Sequence, residues 1–172
     1  MRKTRIVGGV LAALLVLAFA SGAEALDAYQ DRTGFFFGLG GQGGVAISNG
    51  DAGFGAGGGF MLGGGATQDF TIEVDVNCLY LSVGDGAVTL LGGPRAAYFV
   101  WEGLYVRAGA DFGWLHAGKL DVMTAAPKVG VGYEVFFDAN WAGGLGLDYE
   151  HLFLFDDPDI DLVGMSLEIR YY

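Results

Sequence analysis

A chain of 172 residues with 20 Asp+Glu, 9 Lys+Arg and a net charge of -11 is too acidic to hold a phosphate backbone, which excludes nucleic acid as a partner. Its 32 Gly and 3 Pro are unlike an ordinary enzyme domain, while 14% aromatic residues exclude a disordered chain. The single Cys78 excludes an internal disulfide and a multi-cysteine metal site.

Residues 1–25, MRKTRIVGGVLAALLVLAFASGAEA, read as a cleaved secretory signal peptide. Arg2, Lys3 and Arg5 supply the positive start, Ile6 to Ala20 the apolar stretch, and Ala23-Glu24-Ala25 the small-x-small cleavage site. No Cys lies near that site, so a lipid anchor is not expected, and no later run is long and apolar enough for a membrane helix. Cleavage leaves residues 26–172 as one domain, with room for eight strands of about ten residues.

After a polar lead-in, Leu26 to Thr33, the first strand is predicted over 34–47, with Phe35, Phe37, Leu39, Val45 and Ile47 on one parity. Its glycine-rich centre is no dinucleotide loop, because a hairpin turn, Ser48-Asn49-Gly50-Asp51, follows where a helix should begin. The second strand, 53–62, alternates Phe54, Ala56, Gly58, Phe60 and Leu62 on one face, and residues 63–69 are predicted as a turn. In the third, 70–81, Phe70, Ile72, Val74, Val76, Cys78 and Tyr80 oppose Thr71, Glu73, Asp75 and Asn77. Val83 to Gly86 then turns the chain into a central hairpin, Val88 to Trp114. There Val88, Leu90, Gly92, Pro94, Ala96 and Tyr98 form one apolar face and Leu104, Val106, Ala108, Ala110, Phe112 and Trp114 its partner. A loop is predicted over 116–126. Strands six, seven and eight follow, their apolar faces carried by Val129 to Phe137, Trp141 to Tyr149 and Val163 to Tyr171, with an acidic loop over 152–161.

Period-two alternation marks strands. The opposite face collects Arg95, Arg107, Lys128 and Arg170 with Glu73, Asp75, Asp111, Glu134, Asp148, Glu150 and Glu168, among many glycines. Apolar outside and charged inside is the pattern of a membrane barrel. The fold expected is all-β: an eight-stranded antiparallel up-and-down transmembrane β-barrel whose lumen is plugged by ion pairs. Short turns after strands two, four and six, and longest connections after five and seven, are expected to distinguish its two ends. Aromatic girdles are predicted from Phe70, Tyr98, Phe137, Trp141 and Tyr171 at the turn end and Phe54, Tyr80, Trp114 and Tyr149 at the loop end.

For chemistry, Ser48, His116 and His151 fall near the loop-end rim beside many Asp, the ingredients of a Ser-His-Asp hydrolase, but without a nucleophile motif. Asp156-Asp157-Pro158-Asp159-Ile160-Asp161 lacks the Gly and closing Glu of a calcium loop and reads as a solvated acidic segment. No catalytic, cofactor-binding or metal-binding residue is therefore expected, and no cofactor.

The strand Thr89-Leu90-Leu91-Gly92-Gly93-Pro94-Arg95, followed by Tyr105-Val106-Arg107-Ala108-Gly109-Ala110 and a closing strand with an aromatic end, resembles the small outer-membrane β-barrels, the OmpA-like and OmpX-like domains. The resemblance covers residues 34–172 and implies residence in the outer membrane of a Gram-negative cell, contact with its lipid, and recognition by the barrel-insertion machinery. That family commonly ends on an outward Phe; here Tyr171 has the parity and Tyr172 follows. The expected function is an integral outer-membrane barrel with a structural or surface-interaction role, no turnover and no obligate protein partner. A lipid-modifying barrel enzyme and a soluble periplasmic ligand-binding barrel with inverted faces are the alternatives.

Overall fold

The computed structural model describes residues 31–83, 86–118, 120–154 and 159–172. The signal peptide, the centre of the Val83–Gly86 turn and Asp156–Pro158 of the acidic loop lie outside them. Eight strands follow in order: β1 (Gly34–Ser48), β2 (Asp51–Thr67), β3 (Phe70–Leu81), β4 (Ala87–Trp101), β5 (Leu104–Ala117), β6 (Leu120–Phe136), β7 (Trp141–Leu154) and β8 (Ile160–Tyr171). Each pairs antiparallel with the next, and β8 pairs with β1 from Phe37 opposite Tyr171 to Ile47 opposite Asp161. Closure leaves no sheet edge, the condition for a β-structure surrounded by lipid.

The alternation predicts which way each side chain points. In β3, Ile72, Val74, Cys78 and Tyr80 are exposed, while Thr71, Glu73, Asp75, Leu79 and Leu81 are buried. In β4 and β5, Val88, Leu90, Pro94 and Tyr98, then Val106, Ala108, Phe112 and Trp114, are among the exposed residues, with Arg95, Arg107 and Asp111 inside. The apolar face is thus outside all round the barrel, which overturns the inverted, soluble arrangement. The β1–β2 turn also follows from its sequence: Asn49 (φ 50°) and Gly50 (φ 88°) both occupy the left-handed region, as a two-residue hairpin turn of primed type requires.

Strand ends are where the structure departs from the prediction. Gly63 to Thr67 continue β2, with a bulge against β3 between Gly65 and Thr67. The segment 116–126 is not a loop. His116 and Ala117 complete β5, β6 starts at Leu120, and the connection is 118–119 alone. Leu152 to Leu154 and Ile160–Asp161 likewise belong to strands, which confines the acidic connection to 155–159. In the first two cases glycines or small side chains (Gly63-Gly64-Gly65, Thr124-Ala125-Ala126) carry no hydrophobic alternation, and in Leu152-Phe153-Leu154 both parities are apolar, yet the backbone ladder needs no alternation. The loop end is therefore not uniformly longer. Its connections 49–50 and 118–119 are as short as 68–69 and 102–103 at the turn end.

Aromatic residues ring both ends of the outer surface. Phe35, Phe37, Tyr98, Trp101, Phe137 and Trp141 stand at the turn end, and Phe54, Tyr80, Phe112, Trp114 and Tyr149 toward the loop end.

Inside, the filling is layered. A loop-end layer of Ala46, Leu79, Leu81, Ala87, Leu91, Leu115, Ala126, Leu152, Leu154, Ile160 and Leu162 is apolar. The charged residues occupy the middle, and Phe36, Phe99, Tyr105, Phe136 and Tyr172 close the turn end. The expectation of a polar lumen plugged by ion pairs is corrected at the loop end by that first layer.

Candidate functional site

The charged layer is built by register. Glu73 lies opposite Arg95 across the β3–β4 ladder, and the Arg95 Nε donates to it. Arg95 also reaches Glu168 at 3.2 Å and Asp75 at 3.9 Å. From β5, Arg107 donates through Nε and Nη2 to Asp148 at 2.7 and 2.5 Å, through Nη2 to the Ser166 hydroxyl at 2.6 Å, and through Nη1 to Glu168. Arg170 approaches Glu168 at 2.7 Å, Glu73 at 3.3 Å and Glu134 at 3.5 Å. Glu168 thus joins three guanidiniums, and Arg170 joins three carboxylates. The Lys128 ammonium is shared by Asp75 at 2.5 Å and Asp111 at 2.6 Å. Every lumen residue predicted from sequence takes its place here. Glu150, in register with Lys128, is buried and makes no ion pair among the described residues, and its Oε1 has no hydrogen-bond partner there.

Long side chains fit in so narrow a barrel because glycines face them. A Cβ on Gly132 would stand 2.4 Å from the Tyr105 hydroxyl, and one on Gly146 would meet Ser166 Oγ at 2.7 Å and Arg107 Nη2 at 3.0 Å. These glycines of β6 and β7 form the hollow in which Arg107 and Tyr105 lie, and Arg107 stacks over the Tyr105 ring at 5.5 Å. Two small cavities, of about 20 and about 10 Å³, lie beside Gln42. The larger is lined by Asp75, Asn77, Arg95 and Glu168 and the smaller by Asp148, Glu150, Leu79 and Leu162. Each has the size of a water molecule.

Two parts of the lumen escaped sequence reasoning. Arg32, placed in the polar lead-in, enters the turn-end mouth and pairs with Glu134 at 2.8 Å. A single Arg in a polar segment carries no periodic signal, so nothing in the sequence could have assigned it. The apolar layer did leave one. Cys78-Leu79-Tyr80-Leu81, Leu90-Leu91 and Leu152-Phe153-Leu154 are apolar on both parities, which marks strands buried on both faces.

The rim candidates separate. His116 pairs with Asp121 across β5–β6 at 2.6 Å, with both side chains largely exposed. His151, on β7, has Nδ1 2.7 Å from Asp161 and Nε2 3.5 Å from Asp159, and its ring meets Phe153 edge-on at 4.4 Å. Tyr149 donates to the same Asp161 oxygen at 2.6 Å. The Ser48 hydroxyl donates to the Asp159 carbonyl at 3.0 Å. Carboxylates thus face both nitrogens of His151, the nearer on Nδ1. Of the acidic segment, Asp159 and Asp161 serve as these partners, and Asp159 also accepts from the Leu154 N–H at 3.0 Å.

No protein-family model and no curated protein sequence matches this chain. Solved structures do. Neisserial surface protein A superposes with a TM-score of 0.61 at 13% identity, over 81% of this chain and 97% of that one. Ail, the attachment invasion locus protein of Yersinia pestis, matches with a TM-score of 0.48 at 11% identity, over 81% of this chain and 99% of its own. The N-terminal β-barrel domain of Pseudomonas aeruginosa OprF gives 0.46 at 15%, over 78% and 97%. At such identities the likeness is one of fold: the chain is a small eight-stranded barrel of the outer-membrane type.

Proposed function

We propose that this protein is an integral outer-membrane barrel with a closed lumen, whose role is structural or one of surface interaction and which turns over no substrate. The observation that carries the reading is the lumen itself. Ion pairs in the middle, packed leucines at the loop end and aromatic rings at the turn end support it, and the two cavities beside Gln42 are of water size. A barrel of this strand number is just wide enough for side chains to fill. The apolar exterior with its two aromatic girdles supports outer-membrane lipid as the surrounding partner, and the outward Tyr171 at the end of β8 supports handling by the insertion machinery.

Reconstituted into planar bilayers, the protein is expected to give no stepwise conductance. Steady channels of defined size would sink the closed-lumen reading. Insertion is tested separately through Cys78, which is exposed on the apolar exterior. In intact membranes it should resist a water-soluble maleimide, and it should react once the barrel is unfolded. Fast labelling of the folded protein would contradict insertion.

A further inference from the structure

We propose that the turn-end mouth contains a guanidinium-binding cage, filled in cis by Arg32 and able to accept the guanidinium of an arginine side chain from outside once the strap carrying Arg32 lets go. The cage is built entirely by the barrel. Its floor is the Glu134 carboxylate of β6, and its walls are the rings of Phe99 on β4 and Phe136 on β6, all buried. The Arg32 guanidinium carbon sits 4.0 Å from the Phe99 centroid and 5.2 Å from that of Phe136, with Nε 2.8 Å from Glu134. A planar cation between π-faces and against a carboxylate is matched in both shape and charge.

The occupant belongs to no strand. Arg32 stands before β1 on a short strap, Asp31 to Thr33, whose ties beyond the cage among the described residues include side-chain hydrogen bonds to the β2–β3 turn. Gln68 accepts from the Arg32 N–H at 3.1 Å, and its amide donates to Asp31 at 2.7 Å in an exposed contact. The Asp31 carboxyl also accepts from the Thr33 hydroxyl and N–H, and these bonds hold it below the usual carboxylate range. Among the described residues the strap fits its cage imperfectly: only Nε donates to Glu134, while Nη2 is buried without a hydrogen-bond partner. An untethered guanidinium can present two parallel N–H groups to the same carboxylate. Glu134 does not depend on Arg32 for its fold role, since Tyr172 donates to it at 2.9 Å and Arg170 lies 3.5 Å away.

Two variants empty the cage by different routes. Arg32→Ala removes the occupant. Gly65→Ala leaves Arg32 in the chain but places a Cβ 1.8 Å from the Arg32 carbonyl, so the strap must lift. With each barrel folded in detergent micelles, methylguanidinium chloride is titrated while the amide resonances of Phe99, Phe136 and Glu134 are followed by NMR. Saturable shifts in both variants, absent from the unaltered protein and not reproduced by sodium chloride or methylammonium at equal concentration, are the expected result. Adding Phe99→Leu to Arg32→Ala should weaken the binding roughly tenfold by removing the closer ring. If Arg32→Ala does not fold, the Gly65→Ala barrel decides alone. Shifts that follow ionic strength only, or no shifts in the folded variants, would overturn the proposal.

Discussion

The loop-end and middle layers of the lumen fill the same barrel by opposite means. Around the loop end, Leu79, Leu81, Leu91, Leu115, Leu152 and Leu162 meet as an ordinary apolar core. In the middle, Arg95, Arg107 and Arg170 radiate from Glu168 as a hydrogen-bonded ionic core. An apolar layer gains stability in proportion to area and accepts any side chains of suitable volume. The ionic layer must return the cost of desolvating each charge through exact partners, so it tolerates almost no editing but fixes one arrangement of strands. One-residue slippage of β8 would carry Glu168 and Arg170 to the lipid face, and no slipped barrel could accept that.

The comparison is broken most forcefully at its hub. Replacing Arg170 by Leu takes one guanidinium from Glu73, Glu168 and Glu134, which keep Arg95, Arg107 and Arg32, so the buried layer gains one uncompensated negative charge and should lose about 3–5 kcal/mol. Urea unfolding in lipid vesicles measures it, and a loss under about 1 kcal/mol would mean that these charges are hydrated instead of paired. In the apolar layer, Leu79→Ala should cost about 2–5 kcal/mol by the same assay through the cavity it leaves. The contrast sharpens with Leu79→Met, which should be nearly silent because volume is kept. No comparably silent substitution is expected at Arg170, where even Lys loses the fork that reaches several carboxylates. On the exterior, Val106→Arg near mid-span should cost about 2–4 kcal/mol in a bilayer, and much less in soft detergent micelles.

The same contrast explains what could be read from the chain. Charged residues at period two among apolar partners are unmistakable, so β3 was placed at its observed bounds and all the predicted lumen charges proved inward. Leucines on the inward parity of strands whose outward parity is also apolar cancel the alternation, and the loop-end layer vanished from the pattern while the fold itself did not. Where neither parity carries bulk, as in Thr124-Ala125-Ala126, strand looked like loop. Arg32 was invisible for a different reason. Its place depends on how a non-strand segment crosses a mouth formed by β2, β4 and β6, and no local spacing encodes that.

The smallest effect is expected where the candidate chemistry once stood. His116 and Asp121 are exposed, and an exposed pair contributes about 0–1 kcal/mol, so His116→Ala should barely move the unfolding midpoint. His151→Ala removes a half-buried ring from between Asp159 and Asp161 and from the edge of Phe153, and should cost slightly more without altering the barrel. Both variants bear on function as well as stability. A lipid-modifying enzyme using this rim would need one of these rings as its base, since they are the only histidines in the chain. Lipid A from cells with and without the protein would then differ in acyl content by mass spectrometry, and the difference would disappear with either His→Ala change. A barrel that acts by its presence predicts unaltered lipid A. Deletion should make the envelope more sensitive to detergent, and both histidine variants should restore resistance in full. A modified lipid whose appearance depends on His116 or His151 would move the protein into the enzyme class and leave the ion-pair lumen as its scaffold.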